Sequence, residues 1–165
     1  MAFHLAFAHG IIKGESARQG LGAMTIAAIL HNKGTEVLSV QAAAPVREAV
    51  ELLAVRRIGA LPVLRGESVA GIMSERDVIY CLKSDGAAVL DWPVEKIMTA
   101  PAITVTRDQQ VLGALSLMTR RRIRHLPVVE GDRLIGIVSI GDLVKHRMDK
   151  IEREAEQMLA YIQSA

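Results

Sequence analysis

Two segments of the chain carry apolar residues at the spacing of an amphipathic helix. In each, the apolar positions follow the i, i+3, i+4, i+7 pattern that places them on one face, towards a core. The first stripe consists of Val46, Ala49, Val50 and Leu53. The second consists of Val111, Ala114, Leu115 and Met118. Pro45 precedes the first stripe and suits a first helical position, where its missing N–H costs nothing, so we expect that helix to begin there.

Short β-rich runs accompany the helices. Strands are predicted at 37–40, before the first helix, and at 60–64 and 69–73, after it. A helix is then predicted over 75–82. The second stripe sits in the same surroundings, with its last strand at 134–138. Each half of the chain therefore has the order strand, helix, strand, strand, helix.

The two halves are an internal repeat. Residues 37–82 recur without a gap as residues 102–147, so that Leu61-Pro62-Val63 returns as Leu126-Pro127-Val128. A unit of this size that occurs only twice predicts two half-sized units that close one core, with two similar clefts between them. The predicted fold class is mixed α+β (α/β), built from two β-α-β-β-α units with flanking helices.

The repeat sets the predicted domain organisation. Residues 1–23 match neither unit and are interpreted as a leader or a remnant outside the fold. The first unit is predicted over 24–90, with a short N-terminal helix that docks before it, and the second unit over 91–147. Residues 148–165 form a C-terminal amphipathic helix. Its apolar stripe packs either on its own body or against a second chain, and the pattern leaves both open.

Composition narrows the function classes. Of the 165 residues, 50% are hydrophobic but only 3% are aromatic, so the core must be aliphatic. The one cysteine, Cys81, excludes an internal disulfide or a Cys-rich zinc site and indicates a reducing cytoplasm. No metal site is predicted. No apolar run approaches the roughly 20 residues that cross a membrane, so no membrane contact is expected.

Positive charge is concentrated at one place, although the net charge is only +2. The cluster consists of Arg120, Arg121, Arg122, Arg124 and His125. Such a group can receive phosphates, or it can be solvated charge at a helix C-terminus, where the helix dipole favours cations. His125 has a further interpretation as a packed strand residue.

The same short motif stands at both strand-to-helix corners. Ser74 precedes Asp77 by three residues, and Ser139 precedes Asp142 in the same way. A serine followed three residues later by an acidic residue resembles a capping box, which satisfies the free N–H groups of a helix start. The alternative is a ligand site: a helix N-terminus favours phosphate or sugar, and a carboxylate there can accept hydrogen bonds from a ribose diol.

The paired Leu-Pro-Val, Gly and Ser-x-x-Asp segments resemble a tandem of cystathionine-β-synthase (CBS) domains, the pair often called a Bateman module. The resemblance covers residues 25 to about 150, and within this range the chain is similar to small stand-alone bacterial CBS-pair proteins. It implies an intramolecular pseudo-twofold axis, adenine nucleotides in the clefts between the units, and a homodimer.

The resemblance also assigns roles to residues. Asp77 and Asp142 would hold two ribose diols, with help from Ser74 and Ser139. Phosphate would be bordered by Gly59 and Ala60 in the Asp77 cleft and by Arg124 and His125 in the Asp142 cleft. The adenine rings would be framed by Thr35, Val37 and Ser39 in one cleft and by Thr99, Ala100 and Ile103 in the other. We expect the Asp142 cleft to take the more anionic ligand, with Arg76 compensating in part at Asp77.

The leading functional prediction is a non-catalytic sensor of adenine nucleotides that binds AMP, ATP or NAD/NADH, with S-adenosylmethionine left open. Its partners would be a second copy and an effector protein. The alternative is a dimerisation scaffold with unused clefts. Near-neutral charge and few aromatic residues disfavour a nucleic-acid binder. An enzyme is disfavoured because no nucleophile and base stand at a catalytic spacing.

Overall fold

The computed structural model describes residues 24–34 and 36–164, so the predicted leader at 1–23 lies outside the described residues. The helices are α1 (Ile26–Lys33), α2 (Val46–Arg56), α3 (Glu75–Asp85), α4 (Val111–Arg121) and α5 (Ile140–Ser164). The strands are β1 (Val40–Gln41), β2 (Ala60–Arg65), β3 (Ser68–Ser74), β4 (His125–Glu130) and β5 (Arg133–Ser139). Two 3₁₀ helices, Gly86–Asp91 and Val94–Lys96, lie in the connection between the units.

The strands form one mixed sheet in the order β1-β2-β3-β5-β4. β2 and β3 form one antiparallel hairpin and β4 and β5 form the other. The two hairpins meet where Ser68 pairs with Arg133, which are matched positions of the repeat. β1 is parallel to β2, while its counterpart in the second unit is reduced to a single bridge between Val105 and Val128. The predicted mixed α/β fold of two repeated units is confirmed.

Each unit has its own core. Val46, Ala49 and Leu53 of α2 are buried on one side, and Val111, Ala114 and Met118 of α4 on the other, as the two stripes predict. The N-terminal helix, which the sequence analysis groups with the first unit, packs on the second one, because Ile26, Ile29 and Leu30 of α1 are buried in the second core. In the same way, Val94 and Ile97 complete the first core although the predicted boundary at residue 91 gives them to the second unit.

Backbone hydrogen bonds hold α1 and the residues before it against the second unit. The N–H of Ile26 donates to the Gln109 carbonyl at 2.9 Å, and the N–H of Val111 donates to the Met24 carbonyl at 2.8 Å. α1 approaches β5 so closely that a Cβ added at Gly136 would lie 2.6 Å from Cδ2 of Leu30. The segment that precedes each unit along the chain thus packs on the other unit, and the two units are tied together.

α5 is one continuous helix that runs well past the second core. Residues 151–164 are all exposed, including Met158, at 67%, and Ile162, at 64%. None of the helices in the described part of the chain has the length and apolar character needed to cross a membrane.

Candidate functional site

A cavity of about 220 Å³ lies where the two units meet, at the N-terminus of α3. It brings together nine of the predicted site residues: Gly59, Ala60, Ser74, Arg76, Asp77, Thr99, Ile103, Arg124 and His125. Four further residues complete the lining: Ile72, Pro101, Arg122 and Ile123. The cavity therefore has an acidic corner, an apolar wall and a cationic wall.

The acidic corner is formed where β3 becomes α3. Oδ2 of Asp77 accepts the Ser74 backbone N–H at 2.7 Å and the Ser74 hydroxyl at 2.6 Å, so the predicted capping box is present. The second oxygen, Oδ1, lies 3.5 Å from the Thr99 hydroxyl, a long contact. One carboxylate oxygen thus holds the helix start in place, while the other is positioned to accept hydrogen bonds from a ligand. Capping and ligand binding are compatible in this geometry.

The apolar wall comes from both units. Ile72 of β3 pairs with Thr99 in an antiparallel bridge, with backbone hydrogen bonds of 3.0 and 2.9 Å. This bridge fixes the segment that leads to Pro101 and Ile103, and Ile123 closes the wall from the second unit. Aliphatic side chains of this kind can pack against the faces of an aromatic ring, and most small-molecule sites are lined mainly by such apolar groups.

The cationic wall follows α4. Arg122 ends this helix in the left-handed conformation, with φ 55°, and the chain then reverses so that Arg122 and Arg124 both line the cavity. Arg124 forms an ion pair with Glu75 at 3.4 Å, and both side chains are at least half exposed. Because exposed ion pairs of this kind are weak, Arg124 can exchange Glu75 for a phosphate.

His125 is half-buried at the start of β4. Burial, and then the adjacent Arg124 guanidinium, lower the pKa of His125 from its ordinary value, although Glu75 opposes this. The ring is therefore largely neutral at pH 7, where it adds little positive charge beside Arg124. Gly59, which directly precedes β2, faces His125 across the cavity. A Cβ at Gly59 would lie 3.3 Å from Cε1 of His125 and 2.9 Å from Oε2 of Glu75, so a larger residue at this position would require these side chains to move.

The second acidic corner has a different partner. Asp142 accepts the Ser139 backbone N–H at 2.8 Å and the Ser139 hydroxyl at 2.9 Å, and the Lys33 ammonium lies 2.7 Å from the same oxygen. Burial alone would raise the pKa of Asp142, but the hydrogen bonds from Lys33 and Ser139 outweigh it and the pKa is lowered. A shallow pocket here is lined by Ile29, Asn32, Lys33, Asp142, Lys145, His146 and Asp149.

The structure groups some predicted residues differently from the sequence analysis. Arg124 and His125 lie in the cavity of Asp77, not in that of Asp142, because the start of β4 crosses to the corner of the opposite unit. The expectation that the Asp142 cleft takes the more anionic ligand therefore loses its premise, because the two residues on which it was based line the other cavity. Val37 and Ser39 line a third, separate pocket beside Arg133 rather than either acidic corner. Thr35 lies outside the described residues.

Five residues at the two corners were not assigned to a ligand site by the sequence analysis. Ile72 and Ile123 flank motif positions and gave no signal of their own, and Pro101 carried only a loop signal. Arg122 was noticed as a charge, and its place at a helix end was the available signal for its position. Lys33 had none, because its contact depends on which core α1 joins. Within residues 24–34 and 36–164, no group of three His, Cys, Asp or Glu side chains is arranged to hold a metal ion.

Comparisons with known proteins agree with this architecture. The family model of the CBS domain matches residues 32–84 and 94–149. The chain is 40% identical over 123 residues to the mitochondrial CBS domain-containing protein CBSX3 of Arabidopsis thaliana, covering 72% of this chain and 60% of that protein's length. Its structure is similar to that of a CBS-domain containing protein from Agrobacterium tumefaciens, with a TM-score of 0.72, 35% identity, and coverage of 78% and 96% of the two chains. A CBS domain pair solved in complex with 5′-methylthioadenosine and S-adenosyl-L-methionine matches with a TM-score of 0.69 at 24% identity, covering 78% of this chain and 98% of that one.

Proposed function

Because this chain belongs to the CBS domain family, whose paired domains are generally regulatory, we propose that it is a non-catalytic sensor that binds an adenine nucleotide in the Asp77 cavity. One observation carries the proposal: a carboxylate oxygen with only a long contact to Thr99, an apolar wall and a cationic wall converge in one cavity between the two units. The convergence is what a nucleotide requires, since it combines a diol, a flat base and phosphates.

Each part of a nucleotide has a matching surface. Oδ1 of Asp77 would accept the ribose hydroxyls, as an acidic residue does in dinucleotide-binding folds. The base would lie between Ile72, Ile103 and Ile123, where apolar area is buried. The phosphate would meet Arg122 and Arg124, whose planar guanidinium groups can each form two parallel hydrogen bonds with it.

The cavity favours an anionic adenylate. Arg76, Arg122 and Arg124 line it and His125 is neutral, so S-adenosylmethionine, with its sulfonium cation, fits this charge less well than AMP, ATP or NAD(H) does. The volume of about 220 Å³ is below the roughly 300–1,000 Å³ of most small-molecule pockets. The adenosine part would therefore be enclosed, while further phosphates or a second nucleoside would extend into solvent.

Binding would act by changing the arrangement of the two units. Asp77 belongs to the first unit and Arg122 and Arg124 to the second, so a nucleotide that touches all three bridges them. A ligand shifts an equilibrium between two arrangements only as far as it binds one of them better. A bridging ligand has that preference, and a partner protein in the cytoplasm would read the result.

We also expect a homodimer. The apolar positions of α5 are spaced alternately four and three residues apart, the heptad pattern of a coiled-coil seam. They are Val144, Met148, Ile151, Ala155, Met158 and Ile162, and all but Ala155 are exposed large apolar side chains. Arg147 and Glu152 flank this seam with opposite charges, which suits pairing with a second copy. The same surface supports the second candidate function, a dimerisation scaffold that binds no nucleotide.

The deciding experiment is a calorimetric and thermal-shift titration with AMP, ATP, NAD, NADH and S-adenosylmethionine. A ligand at 100 times its dissociation constant should stabilise the protein by about 2.7 kcal/mol. Asp77→Asn should weaken adenylate binding at least about tenfold, since it removes a charge-assisted hydrogen bond worth about 1.5–3 kcal/mol, while an amide oxygen can still cap α3.

Asp132→Asn provides the matched control, because Asp132 is exposed in the turn between β4 and β5 and does not line the cavity. Its affinity should equal that of the wild type. If no ligand of the panel binds the wild-type protein, the sensor proposal fails and the scaffold remains.

A further inference from the structure

The two acidic corners are equivalent in backbone but not in what fills them. Both carboxylates accept the backbone N–H of the serine three residues before them, at 2.7 Å in Asp77 and 2.8 Å in Asp142. At Asp77 the nearest further donor is the neutral Thr99 hydroxyl, at 3.5 Å. At Asp142 it is the Lys33 ammonium, at 2.7 Å. The repeated motif thus ends in an open corner in one unit and in an internal ion pair in the other.

Lys33 also takes over a backbone contact. Its ammonium donates to the carbonyl of Ile137 at 3.2 Å. In the first unit the matched carbonyl belongs to Ile72, and it accepts the backbone N–H of Thr99 at 2.9 Å. The ammonium therefore stands where the first unit has the segment that frames its cavity, and it satisfies both the carboxylate and the carbonyl of the corner.

The position of Lys33 is fixed by the rest of α1. Ile26, Ile29 and Leu30 of this helix are buried in the second core, and Leu30 lies against Gly136. Lys33 stands in the last turn of the helix, where the dipole favours a cation. Side-chain exposures of 41% for Lys33 and 26% for Asp142 show that the pair is partly shielded from water. An anchored helix thus delivers the ammonium to the carboxylate.

We propose that Lys33 is a built-in occupant of the Asp142 corner, so that each chain binds a single nucleotide, at Asp77. This inference rests on the proposed function and adds its stoichiometry. A ribose diol can reach Asp142 only if the ammonium withdraws. The sequence repeat predicts two sites, and one side chain outside the repeat removes the second.

The test counts AMP sites per chain by isothermal titration calorimetry and equilibrium dialysis. Wild-type protein should bind one AMP. Lys33→Met keeps an unbranched side chain of similar reach but removes the charge, and should bind two. Asp77→Asn combined with Lys33→Met should keep the Asp142 site at its single-variant affinity and weaken the Asp77 site at least about tenfold. Lys145→Met is the matched control, because Lys145 lines the same pocket without touching Asp142 and pairs with Asp149 at 3.5 Å; it should bind one AMP.

The outcomes separate this inference from the proposed function. Two AMP per wild-type chain, or one per chain in Lys33→Met, would overturn the role of Lys33 and leave the Asp77 site standing. No AMP on any variant would overturn both. A second readout needs no nucleotide: the carboxyl carbon of Asp142, followed by NMR, should titrate at higher pH in Lys33→Met than in wild type or Lys145→Met.

Discussion

Asp77 and Asp142 show which properties of a residue a sequence motif determines and which it does not. Both follow a serine by three positions, both begin a helix, and both accept that serine's backbone N–H. Their chemistry differs because Lys33 approaches only one of them, at 2.7 Å. The shared Ser-x-x-Asp motif therefore specifies the capping geometry twice. The availability of the carboxylate to a ligand is set by a helix that lies far away in the sequence.

His125 makes the affinity of the Asp77 cavity depend on pH. Burial, then Arg124 and Lys33, lower its pKa, while Glu75 and Asp142 oppose them. Its ring is neutral at pH 7 and gains a proton as the pH falls through that lowered pKa. The added charge beside Arg124 should then strengthen AMP binding. Without a ligand, the same protonation destabilises the folded protein. Because the pKa of His125 is lower in the folded state than in the unfolded state, the free energy of unfolding decreases towards acid pH.

The measurement compares wild type with His125→Gln between pH 7.5 and pH 5. The phosphate of AMP titrates over the same range in both proteins, so the ratio of their affinities isolates the histidine. We expect wild type to bind AMP increasingly better than His125→Gln as the pH falls, by severalfold in the acid range. A ratio that does not change with pH would show that His125 stays neutral or does not face the phosphate.

At the scale of elements, α1 precedes the first unit but packs on the second, and the linker precedes the second unit but packs on the first. The periodicity of residues 26–30 predicts a helix with an apolar face, and that helix is present. The core that it joins is the second one, with Val111 and Ala114. Val94 and Ile97 make the reciprocal contact with the first core. A periodic stripe defines a buried face but carries no information about which of two similar surfaces covers it.

A double-mutant cycle tests this exchange. Leu30→Ala should destabilise the protein by about 2–4 kcal/mol, because it leaves a cavity in a packed core. Its effect should be non-additive with Val111→Ala of the second core, with a coupling of at least about 0.5 kcal/mol. With Val46→Ala, the matched position of the first core, the effects should add. Urea unfolding measures the free energies of the single and double variants. Coupling of Leu30 to Val46 instead of Val111 would show that α1 packs on the first unit.

At the scale of the whole molecule, α5 has an apolar face that no other part of the described chain covers. Its residues 151–164 are exposed throughout, although apolar side chains recur there at heptad spacing. An exposed apolar seam of this kind is typical of a surface that another chain covers. Three heptads are short for an independent coiled coil. The tail would therefore add to a dimer in which the bodies of the two chains also meet.

Light scattering after size exclusion tests the dimer. Wild type should have about twice the mass of the 17.9 kDa chain. Met158→Glu places a charge in the seam and should shift the protein towards the monomer, by roughly tenfold or more in dissociation constant. Gln157→Glu adds the same charge beside the seam and should remain dimeric. A monomeric wild-type protein at concentrations of tens of micromolar would contradict the proposed seam.

Part of the candidate site follows from local chemistry in the sequence, and the rest was assigned through the resemblance to CBS domains. The Ser-x-x-Asp motifs, the Leu-Pro pairs and Arg124 are read directly from the chain, and nine of the predicted residues line one cavity. The residues that complete it, such as Ile123 and Pro101, carry no distinctive chemistry and contribute only by their position. The assignment of Arg124 to a cleft failed because it depends on how the two units face each other.

The sequence by itself determined the helices, the two hairpins, the twofold repeat and the acidic corners, since these depend on spacing, turn chemistry and capping among neighbours along the chain. The tertiary structure alone decided which core α1 joins, that Arg122 and Arg124 meet Asp77, and that Lys33 reaches Asp142. The physical reason is the internal likeness of the two units. Each segment meets two nearly equivalent surfaces, and only the packing of side chains from distant parts of the chain distinguishes them.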